Sequence, residues 1–245
     1  MNSIDNNFGP IFDVKIIKKD EGFLYTNYFG LKNGFISQLS LFCKNLIIDN
    51  SQAFFALPKP GIPTFYSCRK FFGVPYGAYL YLDETTDKEF PPDSSFERFS
   101  QLLKRIEYGA EMGYNDFRAN ETNLICQPIK KMSNLKKALL FNIDYSFVRQ
   151  RRRRNFLKLH KTLSHFNNLH LELDDQSIPL VYPLLFPEPN LKQRLIDKKI
   201  FVPIFWTEVL KRTSDASIQF QFATGIIHLP IIKGLILMKC NTLLM

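Results

Sequence analysis

The sequence is poor in the residues that staple small folds or hold metals. It carries 4 cysteines, 4 histidines and 1 tryptophan in 245 residues. Cys43, Cys68, Cys126 and Cys240 stand singly, with no CxxC pair and no histidine at ligand spacing. That pattern argues against a disulfide framework and against a zinc site, and it suits a reducing compartment. Glycine, at 11, and proline, at 14, are ordinary in number, so collagen-like and linker-like chains are excluded. No apolar run is long enough to cross a bilayer. The tail from Gly225 to Met245 comes nearest, but Pro230, Lys233 and Lys239 interrupt it. Met1 to Pro10 carries Asn and Asp where a secretion signal has a basic and then an apolar stretch, so a cytoplasmic protein is expected.

What is present is aromatic and basic. Phenylalanine occurs 24 times and tyrosine 10 times, and hydrophobic residues make up 45%. So much large apolar surface cannot stay in water, which predicts an ordered, Phe-rich core. The length allows one large domain, or one domain with a smaller companion. The net charge is +9, and much of the excess sits in Arg149 and Arg151 to Arg154. Successive residues of a helix point in different directions. The arginine run therefore predicts a solvated helix face rather than one phosphate-binding stripe, and neither nucleic acid nor membrane is expected as a partner.

Periodicity places the elements. Phe23 to Tyr28, Leu46 to Ile48, Thr64 to Tyr66 and Ala78 to Leu82 read as strands. Phe35 to Phe42 has helical spacing, so the first part reads as a βαβ unit whose second strand is buried on both faces. Helices are predicted over Phe96 to Gly109, from an N-cap at Ser133 to about Leu140, and over Tyr145 to His165. The pattern changes near residues 166 to 170. Leu169 to Leu173 alternates, Val181 to Phe186 is extended, and Leu191 to Lys199 is helical. Ile200 to Trp206 reads as a strand and Ser217 to Phe222 as a helix. The expectation is an α/β domain over 1–168 with a mainly parallel sheet, and a smaller α+β domain over 169–245.

The chemically informative stretch is Asn45 to Tyr79, NLIIDNSQAFFALPKPGIPTFYSCRKFFGVPYGAY. Asp49 follows directly on a strand and Gln52 comes three residues later. Lys70 closes a Ser-x-x-Lys turn that begins at Ser67. Each feature alone is an ordinary loop or surface residue. Together they matter, because open α/β sheets bind ligands beyond the carboxyl ends of their strands, where both turns fall. The four histidines, Trp206 and Cys68 show no such pattern, and packing roles are expected for them.

This stretch resembles the DegT/DnrJ/EryC1/StrS sugar aminotransferases, which are pyridoxal-phosphate enzymes of fold type I. The resemblance starts near FLYTNYFG at Phe23 and runs through LIIDNSQAFF and TFYSCRKFFGVPYGAYL. It returns at KKMSNLKKALL, KKIFVPIFW and IIHLPI. It implies a fold type I large domain and pyridoxal 5'-phosphate as cofactor. Lys70 would be the lysine that takes the cofactor aldehyde and then shuttles the proton. Asp49 would pair with the pyridinium nitrogen, Gln52 would touch the 3' oxygen or the ring face, and Ser67 would donate to the phosphate. The implied partners are a nucleotide-linked keto sugar, glutamate as amino donor, and a second subunit in a homodimer.

The chain departs from the family in three places. The family carries a longer stretch, including a phosphate-binding helix, ahead of the strand at Phe23. Ile129 and Lys131 replace an expected asparagine and arginine. IKGLILMKCNTLLM stands where a polar turn and a final helix are expected. These departures predict a chain truncated relative to the family. They keep open the alternative of a catalytically inactive fragment or pseudoenzyme.

Overall fold

The computed structural model describes residues 3–84, 87–188 and 190–232; Lys233, Lys239 and Cys240 of the tail lie outside the described residues. The first strand, β1 (Phe23–Thr26), leads through a tight turn into α1 (Asn33–Phe42) and then β2 (Leu46–Asn50). A long loop separates β2 from β3 (Thr64–Ser67), and β4 (Ala78–Tyr81) follows. The four strands lie side by side in sequence order. β1, β2 and β3 are parallel, and β4 runs antiparallel against β3.

The strands form because β-branched and aromatic residues alternate on them. β2 buries Leu46, Ile48 and Asn50 on one face, while Ile47 and Asp49 on the other are only half-covered. Its expected burial on both faces is therefore only partly met. Helix α1 closes the buried side. Ile36 and Leu39, one helical turn apart, pack with Cys43 against Phe23, Tyr25, Leu46 and Ile48. Each such side chain contributes roughly 1.5–3 kcal/mol of burial.

The carboxyl edge of this sheet is held by buried amides. Asn27 donates to the side chains of Asn33 at 2.8 Å and Asn50 at 3.0 Å, and accepts from the Lys32 backbone N–H at 3.0 Å. One side chain thus ties the ends of β1 and β2 to the start of α1. The turn between β1 and α1 needs the left-handed region twice, at Phe29 (φ 59°) and Gly30 (φ 75°). Glycine is required at the second position, because a Cβ there would stand 2.9 Å from the Ile178 carbonyl oxygen.

Beyond β4 the prediction of a helix from Phe96 to Gly109 resolves into a 3-10 turn, Phe96–Phe99, and α2 (Ser100–Glu107). The apolar stripe that signalled this helix is exposed: Phe96 is 67%, Leu103 59% and Ile106 79% accessible. A further helix, α3 (Tyr114–Leu124), was not expected, because its sequence YNDFRANETNL has no apolar stripe. It is fixed to α2 by polar bonds, with Asp116 accepting from Ser100 at 2.6 Å and pairing with Lys104 at 2.8 Å.

Two helices are capped by side chains, the first of them at Ser133 as the sequence predicts. In α4 (Asn134–Phe141) the Ser133 hydroxyl accepts from Lys136 N–H, and in α5 (Tyr145–Leu163) the Asp144 carboxylate accepts from Phe147 N–H. The remaining elements are β5 (Val181–Leu185), α6 (Leu191–Asp197), α7 (Ile218–Gly225) and β6 (Ile226–Pro230). β5 and β6 form a separate antiparallel pair.

Two strand expectations fail. Leu169 to Leu173 and Ile200 to Trp206 are irregular. Both have strand-like composition, but neither pairs with a strand, and Trp206 itself is left-handed (φ 58°). The largest apolar cluster joins Phe8, Phe29 and Phe71 to Phe156, Leu159, Tyr182 and Leu229. Residues on both sides of position 168 thus share one core. Among the described residues no helix is long and apolar enough to cross a membrane.

Candidate functional site

Asp49 is the fourth residue of β2, and its carboxylate folds back over the following turn. It accepts from the Ser51 backbone N–H at 2.7 Å and from the Thr26 hydroxyl at 3.4 Å. Lys70 enters from the turn after β3. That turn is wound tightly, since the Cys68 carbonyl accepts from both Phe71 N–H at 3.1 Å and Phe72 N–H at 3.0 Å. Its winding sends the Lys70 amine back toward β2, where Nζ donates to the Ser51 hydroxyl at 3.0 Å. The acid and the amine predicted from sequence are therefore brought to one place, with Ser51 between them.

The electrostatics of this place are uneven. Burial holds the Lys70 amine below the ordinary lysine value; the Asp49 carboxylate opposes the shift and Arg69 adds to it. Tyr28 is pushed up to about 12, chiefly by burial and further by the Asp49 charge, so its hydroxyl stays protonated. The Phe205 ring covers the amine, with Nζ 5.8 Å from its centroid. Burial lets this amine lose its proton more readily than a surface lysine does, against the pull of the Asp49 carboxylate. Neutrality is what nucleophilic attack on a carbonyl requires.

The other two predicted residues are placed differently. Gln52 is 2% exposed, and its Oε1 accepts from the Phe29 backbone N–H at 2.9 Å. Its carbonyl is thus used inside the protein, on the left-handed turn after β1. Ser67 ends β3 opposite Ala78 and is half-buried.

The surroundings include groups that sequence reading did not associate with the site. Trp206 packs edge-on against Tyr28 at 5.4 Å and Phe29 at 5.5 Å, and lies 5.6 Å from Phe205. His228 stacks on Phe205 at 4.5 Å, and its Nδ1–H donates to the Pro203 carbonyl at 3.0 Å. Its Nε2 is buried with no protein partner among the described residues. Burial, the largest influence, depresses the imidazole to about 4, so the ring is neutral. Only the identity of Trp206, the single tryptophan, could have flagged this wall. Phe205 and His228 are more than 130 residues from Lys70 in sequence, and Tyr28, Phe29 and Ser51 carry no local pattern that ties them to it.

Cys68, inside the lysine turn, is buried, and burial raises its thiol to about 11 against the opposing pull of Lys136. Such a thiol stays protonated and unreactive. Beside it lies a polar knot. Asp93 pairs with Lys136 at 3.2 Å and with Arg98 at 3.1 Å, and Tyr76 bonds to both Asp93 and Arg98. The knot anchors the segment around Asp93 to α4, and its charges are consumed by one another. Among the described residues, no group of His, Cys, Asp and Glu is arranged to hold a metal.

Compared with known proteins, the chain matches no family model and no curated protein.

Proposed function

We propose that the protein is a pyridoxal-phosphate-dependent aminotransferase of fold type I. The reading carries with it a nucleotide-linked keto sugar as acceptor, glutamate as donor, a homodimer and a cytoplasmic setting. The observation that supports it most is the Asp49–Ser51–Lys70 cluster, with Lys70 Nζ 3.0 Å from Ser51 Oγ and its basicity lowered by burial.

The donor set fits the cofactor. A carboxylate and an amine approach from neighbouring turns at the carboxyl edge of a parallel sheet, and aromatic rings border the amine. In this reading Asp49, Lys70 and Ser67 would hold the cofactor, at its ring nitrogen, its aldehyde end and its phosphate respectively. When bound, the cofactor supplies an electron sink for charge on the substrate carbon.

The protein's own groups do the rest. In this reading Lys70, its basicity lowered by burial and its amine aimed by Ser51, accepts a proton from the substrate carbon and delivers it again from the same face. Asp49 is kept in place by Ser51 N–H and Thr26, so its charge is fixed before substrate arrives. Phe205 covers the amine, and Trp206 packs behind that ring.

The test is direct. Pyridoxal 5'-phosphate is added to the purified chain, and the visible absorbance of lysine-bound cofactor is followed, with Lys70→Ala as control. Wild type gains the band and the variant does not. A chain that takes no cofactor fits the inactive-fragment alternative, and identical spectra from the two proteins refute the role of Lys70.

A further inference from the structure

The arginine run is sorted by α5 in a way its sequence hides. Arg152 turns inward, 2% exposed, and donates to the carbonyls of Pro179 at 3.2 Å and Leu180 at 2.9 Å. Arg153 turns sideways, donating to the Asp174 carbonyl at 2.6 Å and pairing with Asp175 at 3.3 Å. Arg151 and Arg154 face out, where they join Lys158 and Lys161 along one recess of about 610 Å³. These four lie at intervals of three, four and three residues, which is a single helix face. At 1.5 Å per residue the stripe is about 15 Å long.

Among the described residues no carboxylate pairs with any of the four. Phe147 and Leu157 are interleaved with them, 55% and 46% exposed, and the Arg151 guanidinium lies 5.7 Å from the Phe147 ring. The opposite face of the same helix is spent on the core through Phe156, Leu159 and Leu163. The outer face is therefore rigid, cationic and lightly apolar.

We infer that this outer face of α5 is a docking surface for an anionic phospholipid membrane. Basic side chains on long stems, with two apolar side chains among them, are the pattern of an interfacial helix. The guanidiniums suit phosphate geometry. The recess is lined by this one helix alone, so no second element closes on a polynucleotide strand. It offers one aromatic ring, where single-strand binding needs successive stacking platforms. Each cation near an anionic leaflet contributes about 1 kcal/mol, so four give reversible, salt-sensitive attachment rather than insertion.

The experiment is co-sedimentation of the full chain with vesicles of phosphatidylglycerol and phosphatidylcholine, against vesicles of phosphatidylcholine alone. Binding is expected to the anionic vesicles only, falling as salt rises. The double variant Arg154→Gln/Lys158→Gln should lower partitioning roughly thirtyfold, about 1 kcal/mol per lost cation. The off-stripe variant Arg105→Gln/Arg118→Gln, with the same change in net charge, should lower it less than about threefold by the same reckoning. Inorganic phosphate at matched ionic strength should not compete. The inference is overturned by absent binding to anionic vesicles, by equal losses in the two variants, or by a single-stranded oligonucleotide or an acidic peptide that binds the stripe more tightly than vesicles do.

Discussion

Gln52 Oε1 accepts the backbone N–H of Phe29 at 2.9 Å, across the gap between the end of β2 and the turn after β1. Phe29 is left-handed there, a conformation that bulky residues avoid, so the buried amide holds a costly turn in place. The same turn carries Tyr28 to the Asp49 carboxylate and puts Phe29 against Trp206.

Replacing Gln52 by Leu strands the Phe29 N–H in a dry site. The cost should be about 1–3 kcal/mol, read as a lowered denaturant midpoint. A Leu variant as stable as wild type would show that this bond does not hold the turn.

The covering ring of Phe205 keeps water from the Lys70 amine. Phe205→Ala should let the amine regain solvent and its pKa rise back toward the ordinary lysine value. The rate of Lys70 modification by a small aldehyde, followed by mass spectrometry against pH, should then shift to higher pH. An unchanged profile would assign the lowered basicity to some other covering group.

His228 sets an acid limit. Its ring is neutral in the fold with a pKa of about 4, below the ordinary value of 6.5. The unfolded chain binds the proton first, so stability is fully present above about pH 6.5 and drains away as pH falls toward 4. The loss should approach roughly 3 kcal/mol. His228→Phe should flatten thermal stability across that window relative to wild type, whatever its absolute midpoint. A slope equal in both proteins would rule out the histidine as its origin.

Arg152 is a buried charge that no carboxylate pairs with among the described residues, lowered to about 10 by burial. It is retained for its donors, which serve Pro179, Leu180 and, at 3.5 Å, the Phe71 carbonyl beside Lys70. Arg152→Met relieves a buried charge but orphans those acceptors at about 1–3 kcal/mol each. A net destabilisation of about 2 kcal/mol is expected by calorimetry. Arg152→Lys should also destabilise, because one ammonium cannot reach three carbonyls in a fixed fork.

Much of the local structure was legible because it is written in neighbouring residues. The aromatic run FLYTNY, the β-branched run LII, the cap at Ser133, and the helical spacing of α1 and α5 all act within a few positions. The failures have non-local causes. Ile200 to Trp206 has strand composition, yet no neighbouring strand pairs with it, and Pro203 could give only its carbonyl, which His228 takes. Helix α3 has no apolar stripe to announce it and is held by Asp116 instead. The stripe on α2 was read correctly as helical, but nothing in its periodicity said that it would remain exposed.

The amino-acid order by itself determined that Asp49 stands near the carboxyl end of a strand, though inside it rather than after it, that Lys70 closes a tight turn, and that the chain has aromatic residues enough for an ordered core. Those properties depend on covalent neighbours and on composition. Only the tertiary structure decided that Ser51 bridges the two, that Gln52 serves a turn, and that Phe205 and His228 arrive from far along the chain. It also split the arginines between carbonyl cage, side pair and outer stripe. The physical reason is that contacts between elements, whether some 20 or more than 100 residues apart, are set by how surfaces fit when packed, and no local pattern encodes that fit.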